Sequence, residues 1–92
     1  MIWSTERAWE WHRAQGWIRG YCGYPSNCVN RIALWQEYGH EAVFDQLERE
    51  FALAKETGLN AVRTVIQFEV WQKQHDSFMR HLEESFTLAD RY

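Results

Sequence analysis

The chain has 92 residues, 46% of them hydrophobic and 25% charged, which is the balance of one small globular domain rather than a disordered segment. Lys plus Arg number 10 against 13 Asp plus Glu, a net charge of -3, and this argues against nucleic acid or an anionic membrane as partner. No apolar run approaches the roughly 18–20 residues of a membrane span, residues 1–7 lack the basic-then-apolar order of a signal peptide, and a complete (β/α) barrel of about 250 residues does not fit.

The first predicted element is a helix over 4–15. Ser4 is its N-cap, Glu6 complements the dipole in the first turn, Trp3 can staple onto Ala8, and Gly16 stops it. Residues 17–22, Trp-Ile-Arg-Gly-Tyr-Cys, read as a strand between Gly16 and Gly23. Turn chemistry follows at Gly23-Tyr24-Pro25-Ser26-Asn27, then a short helical turn over 32–38. Residues 41–57 carry the clearest helical stripe, Phe44, Leu47, Phe51 and Ala54, with Gly58 at the left-handed C-cap position. Residues 60–68 read as a second strand around the β-branched run Val62 to Ile66. The last helix is predicted over 76–92, with Asp76 as N-cap and Phe78, Leu82, Phe86 and Ala89 as its apolar stripe.

A strand, a helix and a second strand at this spacing make a βαβ unit with parallel strands and a right-handed crossover. The expected fold class is therefore α/β: a partial (β/α) barrel, with a leading helix (4–15) followed by two parallel strand–helix units (17–58 and 60–92). Both edges of a two-stranded sheet stay open unless another strand or chain covers them.

An ordered series of short motifs runs through nearly the whole chain. It comprises Ala8-Trp9-Glu10-Trp11, Gly16 to Gly20, Tyr24-Pro25-Ser26, Asn30, Leu34-Trp35-Gln36, Phe44-Asp45, Gly58 to Arg63, Trp71 and Leu88 to Tyr92. In these residues the chain resembles the N-terminal part of a glycoside-hydrolase-like (β/α) barrel family, of the cellulase or β-xylanase kind. The resemblance implies an intact parent that hydrolyses β-glycosidic bonds of plant-type polysaccharide in a cleft at the C-terminal ends of its strands. It also implies that the catalytic carboxylates follow later strands, so no catalytic residue is assigned here. Phe68-Glu69 departs from the family pattern, which has a His or Tyr and a neutral residue there.

Candidate sugar-binding residues are Arg63, Gln67, Trp71, Trp35 and Tyr24. On a strand Arg63 and Gln67 share one face with Ala61 and Val65. If the opposite face packs under helices, they point into the barrel, where the resemblance implies that an Arg helps hold a catalytic carboxylate ionised. Taken as a chain by itself, Arg63 is expected to reach water. Tyr24, Trp35 and Trp71 fall in loops near strand ends, where aromatic faces suit the apolar faces of sugar rings, although core packing is the commoner fate of a Trp. Trp9 and Trp11 lie about 200° apart on a helix, so both cannot face one core.

Cys22 and Cys28 are too few for a disulfide framework. With His40 and His75 they lack any metal-ligand spacing, and no phosphate-binding glycine loop is present, so no metal or cofactor is expected. Two readings of function follow. One is a non-catalytic N-terminal portion of a carbohydrate-active hydrolase. The other is a self-associating α/β structural or binding module, in which copies cover one another's open edges as a homo-oligomer.

Overall fold

The computed structural model describes residues 2–92. Seven elements follow one another: α1 (Thr5–Gln15), β1 (Gly20–Cys22), α2 (Arg31–Trp35), α3 (His40–Thr57), β2 (Ala61–Arg63), α4 (Phe68–Lys73) and α5 (His75–Arg91).

Helices account for 63% of the described residues, and the two strands are three residues each. This corrects the expected α/β partial barrel: the fold is mostly helical, and its sheet is a minor part. β1 and β2 pair in parallel, with Gly20 opposite Ala61, Tyr21 opposite Val62 and Cys22 opposite Arg63. Two backbone bonds extend the ladder, from Asn60 N–H to the Arg19 carbonyl and from Gly23 N–H to the Arg63 carbonyl, both 2.8 Å. Beyond Arg63 the expected strand residues leave the sheet. The Val65 carbonyl accepts from Trp35 Nε1 at 2.9 Å, Ile66 is exposed, and Phe68 opens α4, a helix the β-branched run conceals.

The core lies among the helices. Leu34 and Trp35 of α2, Val43, Phe44, Leu47 and Phe51 of α3, Val70 of α4, and Phe78 and Leu88 of α5 bury together with Cys28. From the sheet only Tyr21 and Val62 lean against this cluster. α3 follows its expected stripe and ends at Gly58, whose φ of 97° is a left-handed conformation that favours glycine. α5 follows its expected stripe in part: Phe78 is buried and Leu82 and Ala89 pack against the core, but Phe86 is exposed, and Ser77, His81, Ser85 and Leu88 are buried beside the stripe. Gln74, not Asp76, precedes its first turn.

α1 stands apart. Ser4 Oγ accepts from Arg7 N–H at 3.2 Å, closing the expected cap, yet the helix buries no residue and packs against no other element among the described residues. Trp3 lies edge-on to Trp11, with ring centroids 6.4 Å apart. The radius of gyration is 14.8 Å, against about 12 Å for a compact chain of this length. The outlying helix accounts for the excess. Its exit is fixed by Arg19, which donates from Nε to the Gly58 carbonyl at 2.8 Å and from its backbone N–H to Asn60 Oδ1 at 2.7 Å.

Candidate functional site

The C-terminal ends of β1 and β2 carry most of the residues singled out by sequence. After β1 the chain turns at buried Pro25, leaving Tyr24 exposed. Asn30 then caps α2, its Oδ1 accepting from Ala33 N–H at 2.9 Å. After β2 the chain reaches Gln67, which precedes the first turn of α4. These pieces meet: Tyr24, Val29, Asn30, Arg31, Ile32 and Gln67 line one open concavity of about 490 Å³. Trp71 lies one turn along α4 from Gln67, half exposed, its ring 5.5 Å from Phe68 and 5.4 Å from His75.

Of the five candidates only Tyr24 and Gln67 line this concavity. Arg63 is exposed on the far face of the sheet and makes no ion pair among the described residues, so no carboxylate is held by it. Trp35 is a correction. It is 1% exposed, with Phe44 and Phe78 against its ring at 6.5 and 5.4 Å, and its one polar atom is bonded to Val65. No sugar can reach it.

Glu69 is the one carboxylate close after a strand end. Its carboxyl is held below the usual range by a backbone N–H bond at the start of α4 and by a bond from Gln67 Nε2. It is thus kept ionised. A retaining glycosidase needs a second carboxyl at about 5–5.5 Å, and the lining of this concavity includes no Asp or Glu.

A second cluster went unread in the sequence. His40, at the start of α3, stacks on His81 of α5, with centroids 3.6 Å apart and planes 6° from parallel. His40 Nε2 meets Glu84 Oε2 at 2.9 Å. His81 Nδ1 meets the Trp35 carbonyl at 2.9 Å. A carbonyl only accepts, so Nδ1 carries the proton of His81. The His40 Nδ1 is buried without a partner. Desolvation, first, and then the neighbouring His40 hold the His81 pKa below its ordinary value, against the opposing bond to Trp35. Parallel stacked rings do not aim their lone pairs at a common point, and no group of three His, Cys, Asp or Glu among the described residues is placed to hold a metal. The cluster ties α2, α3 and α5 together. Its signal was the i, i+3, i+7, i+10 series Phe78, His81, Ser85, Leu88, which a reading restricted to apolar side chains passes over.

Cys22 is exposed and Cys28 is buried, and they are not joined. Burial, followed by the charge of Glu50, pushes the Cys28 thiol up, the opposite of an activated nucleophile.

The chain matches no known family, and no curated protein or solved structure is significantly similar to it.

Proposed function

We propose that this chain works by association, as a self-associating module without catalytic machinery of its own. The observation that carries the reading is α1, a capped helix with Trp9 and Trp11 along it that has no buried residue and packs against no other element among the described residues. The two-stranded sheet adds unpaired backbone groups at both edges. Light scattering across a dilution series tests the reading. A mass that rises with concentration supports it, and a constant monomer mass at high micromolar concentration refutes it.

A second reading is favoured by the meeting of Tyr24 with Gln67, one turn from Trp71. In this reading the chain contributes a sugar-contacting surface to a larger glycoside-hydrolase-like protein, and hydrolysis of the β-glycosidic bond is carried out by residues outside it. Exposed aromatic faces beside an amide side chain suit a polysaccharide of plant type. Native electrophoresis in gels containing soluble xylan or a soluble cellulose derivative tests this. Retardation that Tyr24→Ala removes supports it, and migration unchanged by either polymer refutes it.

A further inference from the structure

Among the described residues of α1 every charged side chain lies on one side. At 100° per residue, Glu6, Arg7, Glu10 and Arg13 occupy one arc of about 120°, and the arc opposite holds Trp11, Gln15, Ala8, His12, Thr5 and Trp9 in that order around the helix. The centre of this uncharged arc is Thr5, Ala8, His12 and Gln15, at the alternating three- and four-residue spacing of a helix-pairing seam. Trp9 and Trp11 flank the seam on either side. Their rings are already braced within the chain, Trp9 edge-on to His12 at 5.5 Å and Trp11 edge-on to Trp3, while the Arg7 guanidinium covers the Trp3 ring at 4.4 Å. A helix patterned in this way and left undocked is made to meet another surface.

We propose that the occupant is α1 of a second copy, paired antiparallel about a twofold axis; the proposal rests on the association reading. Antiparallel pairing centred on the seam sets Ala8 level with the partner's His12 and Thr5 level with the partner's Gln15, so small residues face larger ones. In an antiparallel pair each flank meets the same flank of its partner. Glu6 and Arg13 lie on one flank, beyond Trp9, and neither makes an ion pair among the described residues. The pairing brings Glu6 to within about one residue's rise of the partner's Arg13, twice per dimer. A parallel pair would turn this flank to the partner's opposite flank, that of Trp11 and Arg7, and Arg7 already covers its own Trp3 ring. Only the antiparallel arrangement brings Glu6 and Arg13 together, so their charges favour it and a second copy as the complement.

Area sets the strength. Trp3, Trp9 and Trp11 are 43%, 55% and 48% exposed. With up to about 250 Å² per indole, covering them in both copies removes on the order of 700 Å² from water. This is at the small end of specific interfaces, so the dimer is weak and reversible.

The test is sedimentation equilibrium on the intact chain. Wild type shows a monomer–dimer equilibrium in the micromolar range. Trp9→Ala weakens it about thirtyfold, as loss of a central aromatic anchor does. Glu6→Arg alone weakens it, and Glu6→Arg with Arg13→Glu restores it. The thermal midpoint stays unchanged in all three variants, because α1 contributes nothing to the core. If wild type dimerises and Trp9→Ala does not weaken it, the association runs through the sheet and this inference falls while the association reading stands. If Trp9→Ala weakens the dimer but the double charge reversal does not rescue Glu6→Arg, α1 docks on something other than its antiparallel twin. A chain that stays monomeric overturns both.

Discussion

Trp35→Ala is the substitution to which the fold is most sensitive. Trp35 is 1% exposed, touches Phe44 and Phe78, and donates to the Val65 carbonyl. Burial of about 250 Å² at ~25 cal/mol per Å² contributes on the order of 6 kcal/mol. That is an upper bound, since denatured chains already bury part of this area. Core Trp-to-Ala changes cost about 3–5 kcal/mol, and a domain of this size has roughly 5–14 kcal/mol in total. The substitution is therefore expected to leave the chain at or near unfolding. Trp35→Phe separates packing from the hydrogen bond: most of the ring remains, and the Val65 carbonyl loses its donor. Its expected cost is about 1–3 kcal/mol, a fall of about 1–3 M in the urea midpoint at a slope near 1 kcal/mol per M. Urea titration followed by far-ultraviolet circular dichroism measures both. A cost below about 1 kcal/mol for Trp35→Ala would refute the placement of this ring at the centre of the core.

Gly58→Ala forces an L side chain into φ near 97°. It is expected to cost about 1–2 kcal/mol by the same titration, although a Cβ there meets no atom. His81, whose pKa is depressed by burial and by His40, predicts a pH dependence. The unfolded chain binds the proton first, so stability is full above about pH 6.5 and is lost as pH falls below it toward the folded pKa. His81 faces His40 from α3, Glu84 and Arg80 from α5 and the Trp35 carbonyl from α2. His81→Gln, which keeps an N–H for that carbonyl, is expected to flatten the curve between about pH 7 and 5; an unchanged slope would sink the assignment.

Helices were the legible part of the sequence, because a cap or a glycine stop is a local signal. Ser4 and Gly58 do at α1 and α3 what their types predict. The strands were overread. Val62 to Ile66 has the composition of a buried strand, but β2 ends at Arg63, where a long-range contact, Trp35 to Val65, takes over the backbone acceptor. Nothing within ten residues of Val65 announces that bond. For the same reason Trp35 could be assigned to a loop and to sugar when it belongs to the core. α5 shows a different failure. Its amphipathic period is legible, and Phe78, Leu82 and Ala89 pack as the stripe predicts, but apolar type alone does not tell that Phe86 stays exposed while His81 is buried. A histidine buries when it has a carbonyl and a stacking partner to meet, and those partners come from α2 and α3. At the candidate site, Tyr24 and Gln67 are 43 positions apart in sequence and meet because two parallel strands end at the same level. Trp71 follows one turn along α4, a helix the β-branched run conceals, with its ring against Phe68 and His75 and outside the lining.

The two routes to association leave different thermal signatures. An isolated helix of 11 residues is marginal in water, because nucleation is costly and short helices gain few bonds after it. α1 packs against no other element among the described residues, so in dilute solution its helicity depends on its cap and on local side-chain contacts. Pairing of α1 with a second copy supplies the missing burial locally. Mean helicity by circular dichroism is then expected to rise with concentration through the dimerisation range. The cooperative midpoint of the core, set by α2 to α5, stays fixed. Association through the open edges of β1 and β2 does the reverse, since Tyr21 and Val62 lean on the core. Binding there at about 100 times Kd adds about 2.7 kcal/mol to the folded state, and the midpoint rises by about 10 °C or more for a chain of this length. Helicity and midpoint measured on the same dilution series therefore separate the two. A rising midpoint with constant low-temperature helicity would place the contact at the sheet, and helicity that rises at a constant midpoint places it at α1.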